Sequence, residues 1–107
     1  MDTLTTQAAR QLRGLLLRLV YVNHNTQASR TNSTLLWAVV QREGYDFTRD
    51  DVLTMLQDLR DRGYIRYEQH YEGEGRTRRL RLFNIEMAPA GRDIIDGLKA
   101  DAAVQVD

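Results

Sequence analysis

The chain has 107 residues, of which 42% are hydrophobic, and its fifteen Lys and Arg residues balance its fifteen Asp and Glu residues. This length suits one domain around one core and is too short for two ordinary domains. Zero net charge argues against a protein that coats nucleic acid wholesale, and the absence of cysteine excludes disulfides, thiolate metal sites and thiol catalysis.

Apolar residues at spacings of three and four predict a first helix over residues 5–23. Its apolar stripe includes Leu12 and Leu16, and Leu17 and Val20 extend the apolar surface around the cylinder. A helix that is apolar on nearly all sides lies at the centre of a core, or packs against a second subunit as well. The central position is the simpler interpretation, and the second subunit is the alternative.

A polar loop is predicted over residues 23–33, and Asn32 or Ser33 can begin the next helix by accepting a hydrogen bond from a first-turn amide. The second helix is predicted over residues 34–43. Gly44 ends it.

A third helix is predicted from Thr48 to Gly63. Thr48 can cap its first turn, and Asp50 and Asp51 lie where the positive end of the helix dipole favours carboxylates. The glycine ends the helix. The apolar stripe that this helix buries consists of Val52, Leu53, Met55, Leu56 and Leu59.

Two strands are predicted to follow the third helix and to be joined by a two-residue turn that begins at Gly73. This turn would place Tyr67 opposite Leu80 and Ile65 opposite Leu82, which gathers apolar side chains on one face. A shift of one residue would scatter that face. The sequence therefore predicts a hairpin in this register.

Pro89 is suited to the first position of a last helix, in which Ile94, Ile95 and Leu98 form the buried side. This helix is short and needs another element to pack on. Residues after about Ala100 carry little apolar surface. We therefore expect a single domain over residues 1–100 and a disordered tail over residues 101–107.

Two helices separated by a short turn, with the second followed by a hairpin, predict a winged helix-turn-helix. The expected fold class is α+β and mostly α, with three helices, a β-hairpin wing and an additional C-terminal helix. No run of eighteen apolar residues occurs, and the N-terminus lacks a signal-peptide pattern. We therefore expect a soluble, cytoplasmic protein with no membrane partner.

Two segments resemble parts of bacterial winged-helix regulators. Residues 48–65, TRDDVLTMLQDLRDRGYI, resemble the recognition helix and first wing strand, and residues 87–93, MAPAGRD, resemble the entry to the last helix. Over residues 12–97 the nearest likeness is to short winged-helix proteins of Mu-like transposable phages, which are often labelled as arsenic-repressor-like. The resemblance implies a DNA-binding transcription regulator of bacterial or prophage origin.

The chain departs from that family in two respects. Its wing is longer and more basic, and Ala88 stands where a capping threonine is common. It also has no cysteine, so the metal-sensing chemistry of arsenic repressors is not implied. We expect no metal site and no cofactor.

The charges are segregated along the chain, which predicts local patches on a neutral protein. Residues 76–92 hold five arginines and one glutamate, whereas residues 43–75 hold nine acidic residues and four arginines. Four of the five arginines fall within six residues of the returning strand. They can neutralise phosphates, or they can form a solvated strand face paired with Glu68 and Glu72 of the neighbouring strand.

A winged helix that binds duplex DNA places the outward face of its third helix in the major groove and its wing against phosphates or the minor groove. Polar residues at the start of the second helix can also donate to a phosphate, although such residues often serve only as caps. The predicted DNA-binding residues are Arg49, Thr54, Gln57, Arg76, Arg78, Arg79, Arg81, Ser33 and Thr34.

The same outward face carries Asp50, Asp58 and Asp61, which phosphates would repel. The alternative function is therefore a winged-helix module that binds another protein through this acidic face, without DNA. In either case we expect a homodimer through the first helix and the C-terminal helix.

An enzymatic function is not expected. His24 and His70 are far apart and on different elements, and Asp50 and Asp51 point in directions about 100° apart on a helix, so neither pair forms a shared site. The Gly73-Glu74-Gly75 segment lacks the lysine and the strand-turn-helix setting of a phosphate loop.

Overall fold

A computed structural model describes residues 5–25 and 31–106, and in this part of the chain four α-helices accompany a two-stranded antiparallel hairpin. The fold class is therefore α+β and mostly helical. None of the described helices is long and apolar enough to cross a lipid bilayer. In chain order the elements are α1 (Thr6–Asn25), α2 (Ser33–Arg42), α3 (Arg49–Asp61), β1 (Ile65–Glu72), β2 (Arg79–Met87) and α4 (Pro89–Ile95).

The helices begin where the capping residues predict. The Asn32 side chain accepts a hydrogen bond from the Leu35 amide at 2.9 Å, which makes Asn32 the N-cap of α2. At the start of α3 the Thr48 hydroxyl accepts from the Asp51 amide at 3.0 Å, and the Asp51 carboxylate accepts from the Thr48 amide at 3.0 Å. This reciprocal capping box satisfies two amide groups at the start of the helix.

The first helix occupies the centre of the molecule and packs against α3, β2 and α4. Leu12, Leu16, Leu17 and Val20 have no solvent-exposed surface. Most of the apolar surface that suggested a second subunit on this helix is therefore covered within the chain. Val22, near its C-terminal end, remains 52% exposed.

The hairpin forms, but the predicted register is wrong. Ile65 pairs with Met87 instead of Leu82, and Leu80 pairs with Tyr71 instead of Tyr67. The strands are joined by six residues, 73–78, instead of two. The longer connection sets this register. In this register Met87, at the end of β2, is buried in the core.

The connection is held by its own hydrogen bonds. Residues Gly75–Thr77 form one 3₁₀ turn, and the Thr77 hydroxyl donates to the Glu74 carbonyl at 2.8 Å. A side chain at Gly73 would lie 2.6 Å from the Thr77 carbonyl oxygen, and its φ is +88°, so this position requires glycine. These contacts join Gly73 and Glu74, the two residues of the predicted turn, to Thr77, which lies outside it.

The second strand is flanked on both sides. Its far edge meets Thr31, whose carbonyl accepts from the Ile85 amide at 3.0 Å. Asn84 has a positive φ of 52° and lies at an irregularity in the pairing, where β2 has one more residue than β1. β1 is the outer strand of the sheet.

The end of the chain packs on the helices, which differs from the expected disordered tail. Val104 is only 5% exposed and belongs to the core, and the Gln105 amide donates to the Arg10 carbonyl at 3.1 Å. The close approach is possible because Gly14 of α1 has no side chain. One buried valine and a few directed hydrogen bonds thus order residues 101–106, in spite of their polar composition.

Candidate functional site

Three exposed arginines project from the end of the hairpin. We call Arg76, Arg78 and Arg79 the basic tip. The Arg78 guanidinium lies over the ring of Tyr71, 4.5 Å from its centroid, which orients the charge without neutralising it. Exposed arginine side chains of this kind can contact the phosphate backbone of a nucleic acid.

A groove of about 380 Å³ lies between the hairpin, the first half of α2 and the start of α3. Arg49 is fixed in its wall, because its Nη2 atom donates to the Leu80 carbonyl at 2.6 Å. The exposed Thr34 lies on the opposite wall. The groove is lined by Thr34, Trp37, Arg49, Glu72, Gly73, Thr77, Arg79 and Arg81. We call it the tip groove.

Arg81 differs from the three arginines of the basic tip. Its Nη1 atom donates to both carboxylate oxygens of Glu72 at 3.1 Å, and its guanidinium lies 4.9 Å from the centroid of the Phe83 ring. The sequence analysis offered pairing with a glutamate of the neighbouring strand as the alternative to phosphate binding. For Arg81 this pairing is present, so the tip groove contains an internal ion pair.

Ser33 is not available to a phosphate. It is 4% exposed, and its hydroxyl accepts a hydrogen bond from the Leu82 amide at 3.0 Å. The prediction of a binding role was therefore wrong. The hydroxyl satisfies an amide on the far edge of β2, which has no strand partner there. Only the next residue, Thr34, points into the tip groove.

Thr54 and Gln57 lie on another side of α3, away from the tip groove. The two positions are three apart, so their side chains share one helix face, and Arg49 points about 140° away from Thr54. Thr54 is exposed and Gln57 is half-buried. The exposed carboxylates of Asp50 and Asp61 belong to the same face.

Asp58 does not belong to the exposed acidic face, in contrast to the prediction. Its Oδ2 atom accepts hydrogen bonds from Arg13 Nε at 2.6 Å and from Arg62 Nε at 2.7 Å. Partial burial opposes ionisation, but the hydrogen bonds from Arg62 and Arg13 lower the pKa of Asp58 below its ordinary value. Asp58 therefore joins α1 to the end of α3.

A second carboxylate extends this cluster to the end of the chain. Asp101 accepts a hydrogen bond from the Tyr64 hydroxyl at 2.5 Å and another from Arg62 Nη1 at 3.2 Å. Burial, together with the bond to Asp101, raises the pKa of Tyr64 to about 12. The hydrogen bonds from Tyr64 and from the Ala103 amide lower the pKa of Asp101. Tyr64, Arg62 and Asp101 thus join the residues that follow α3 to the C-terminal segment, and they lie outside the tip groove.

Of the two histidines, the structure describes the side chain of His70. His70 is exposed on β1 and meets the edge of Phe83, with ring centroids 5.5 Å apart. The side chain of His24 lies outside the described residues. Within residues 5–25 and 31–106, no three His, Asp or Glu side chains are grouped so that they could hold a metal ion.

The sequence did not identify several members of the tip groove. Glu72 and Thr77 enter it only because the strands pair in the longer register. Trp37 also lines the groove, and its indole N–H is buried without a hydrogen-bond partner among the described residues. No protein-family model matches the chain, and no curated protein is significantly similar to it.

Proposed function

We propose that this chain is a winged-helix protein without enzymatic activity that binds duplex DNA and regulates transcription. In this proposal the hairpin is the wing, and Arg76, Arg78 and Arg79 contact phosphates. Arg49 and Thr34 add contacts from the tip groove. Thr54 and Gln57 face the bases from α3.

The exposed basic tip is the observation that carries the proposal. Three arginines within four residues have no acidic partner among the ion pairs of the described residues, whereas Arg81 pairs with Glu72. Each phosphate that an arginine neutralises releases counterions, which gives an affinity that depends on salt. The placement of the tip beside the tip groove and the resemblance to phage-type regulators support the same function.

The test is the affinity for a random-sequence fluorescent duplex across a salt series. We expect the wild-type affinity to fall steeply with salt. In the variant with Arg76, Arg78 and Arg79 changed to Ala, the logarithmic salt slope should become shallower by about three, because three phosphate contacts are lost.

A matched control removes three positive charges elsewhere. Arg42, Arg92 and Lys99 are exposed and lie outside the hairpin and the tip groove, so their change to Ala lowers the net charge equally. This control should retain a salt slope close to that of the wild type. A wild-type chain that binds no duplex even at low salt would contradict the proposal, and a protein partner would then become the stronger hypothesis.

A further inference from the structure

The outer edge of β1 has no neighbouring strand in the described structure. The sheet contains two strands, and the far edge of β2 is already covered by Thr31, Ser33 and Arg49. On β1, Arg66 and every residue of 68–72 are exposed. An exposed edge of this length offers backbone groups to another strand.

The hydrogen bonds of β2 identify which groups of β1 point outward. The Leu80 carbonyl and the Leu82 amide bind Arg49 and Ser33 on the far side of β2, so they do not bond across the hairpin. Their partners on β1 are Tyr71 and Gln69. Because pairs alternate in an antiparallel ladder, the amides and carbonyls of Gln69 and Tyr71 point to the outer edge. By the same alternation those of Tyr67 point there as well.

The sequence of β1 is complementary to itself when two copies run antiparallel about Gln69. Arg66 then faces Glu72 of the second copy, and Glu68 faces His70 of the second copy, twice each. The outward backbone groups at 67, 69 and 71 also meet one another in this register. A shift of two residues in either direction instead sets Glu68 against Glu68 or against Glu72, which would repel.

We propose that the outer edge of β1 binds a second copy of this chain, in antiparallel orientation and centred on Gln69. The product is a continuous four-stranded sheet with a twofold axis through the Gln69 pair. Tyr71, which is 55% exposed, would lie beside Tyr67 of the other copy. This interface is separate from the expected contact through the first and last helices, and it does not depend on DNA binding.

The charges on β1 that already have partners can also serve the second copy. Glu68 accepts from Asn84 Nδ2 at 2.7 Å, and Glu72 accepts from Arg81. An ionised carboxylate offers about four acceptor positions, so each can take a further hydrogen bond. The charged side chains therefore favour the register centred on Gln69 over the registers shifted by two residues. The same charges hinder the pairing of this edge with strands of unrelated sequence.

Charge reversal tests the proposed pairing. In Arg66→Glu each copy presents glutamate against Glu72 of the other, and in Glu72→Arg each presents arginine against Arg66. Each variant alone should dimerise at least about tenfold more weakly than the wild type in sedimentation equilibrium. An equimolar mixture of the two variants restores both opposite-charge pairs and should dimerise about as well as the wild type.

Cysteine substitution tests the register. The chain has no cysteine, so Gln69→Cys provides a single thiol, and the paired Cα atoms would be about 5.5 Å apart, within disulfide range. It should form a disulfide-linked dimer under mild oxidation. In Tyr71→Cys the two thiols would be offset by about four residues, or roughly 14 Å along the strands, and should not cross-link at a comparable rate.

A helix-surface variant, Val22→Glu with Leu98→Glu, places charge on the exposed apolar residues of the first helix and of the segment after α4. The proposal expects its dimerisation to match that of the wild type. The proposal is overturned if the wild type remains monomeric at the highest soluble concentration, or if only the helix-surface variant loses the dimer. It is also overturned if mixing Arg66→Glu with Glu72→Arg restores nothing.

Discussion

Asp58 and Asp101 are carboxylates whose ionised forms the folded chain favours. In Asp58 the hydrogen bonds from Arg62 and Arg13 outweigh burial and lower the pKa, and in Asp101 the bonds from Tyr64 and the Ala103 amide do so. Because the pKa is lower in the folded state, the unfolded state binds protons more readily. The stabilisation is therefore complete above the ordinary value of 3.8 and is lost as the pH falls through the folded-state pKa.

We expect the free energy of unfolding to decrease below about pH 4, as measured by urea denaturation at a series of pH values. Asp58→Asn should cost about 1–3 kcal/mol at neutral pH, since two arginines lose an ionised partner, and it should make the acid slope shallower. Asp50→Asn removes an exposed carboxylate of the same helix and should change neutral stability by only about 0.5 kcal/mol. Equal effects of the two changes would contradict this role of Asp58.

The roles of Asp58 and Ser33 show why single residues were misplaced. Helix periodicity assigns a side chain to a face, but Asp58 lies at the border of its face, and its partner Arg13 is 45 residues away. Ser33 was recognised as a possible cap, and the cap is Asn32. No local pattern in the sequence indicates that the Ser33 hydroxyl accepts a hydrogen bond from an amide of β2.

At the scale of the element, α3 presents an exposed face with a carboxylate at each end, Asp50 and Asp61. If this face approaches DNA, both carboxylates repel phosphates. We expect the variant with Asp50→Asn and Asp61→Asn to bind the duplex about two- to fivefold more tightly at low salt. Fluorescence anisotropy measures this change.

A control variant with Glu43→Gln and Glu86→Gln removes two exposed carboxylates outside α3, so it changes the net charge equally and should strengthen binding less. A circular dichroism spectrum checks that the α3 double variant keeps the helical content of the wild type. A weaker affinity of the double variant would mean that the acidic residues contribute to binding. That result would favour the alternative in which this face meets a basic protein.

The elements themselves follow closely from sequence, whereas the pairing between strands does not. Caps and apolar periodicity located α1, α2 and α3 to within about two residues, whereas α4 ends at Ile95 and leaves Leu98, which was predicted on its buried side, 78% exposed. The hairpin register depends on the length of the turn, and two glycines near the tip are compatible with more than one turn. Hydrogen bonds of Thr77 with Glu74 select the longer connection. The sequence offered Glu72 as a partner for the arginines of the returning strand, but which arginine pairs with it depends on the register.

At the scale of the whole molecule, the C-terminal segment joins elements that are distant in sequence. Val104 enters the core, Asp101 binds Tyr64 and Arg62, and Gln105 meets α1. Sequence composition suggested a disordered tail because it counts apolar residues and not their individual positions. Loss of one buried valine and of these hydrogen bonds should cost about 2–4 kcal/mol.

The Gly14→Ala substitution tests this attachment, because an added Cβ atom would lie 1.8 Å from the Gln105 carbonyl oxygen. In the full chain we expect Gly14→Ala to lower the free energy of unfolding by about 1–3 kcal/mol. The loss cannot exceed the stabilisation that the C-terminal segment provides, because the segment can detach and so relieve the clash. In a chain that ends at Ala100, the same substitution should raise stability by up to about 1 kcal/mol, because alanine is the better helix former. Urea denaturation of the full and shortened chains, each with and without Gly14→Ala, measures this reversal of sign. If the substitution lowers stability equally in the full and the shortened chain, Gly14 is needed for a reason unrelated to the C-terminal segment.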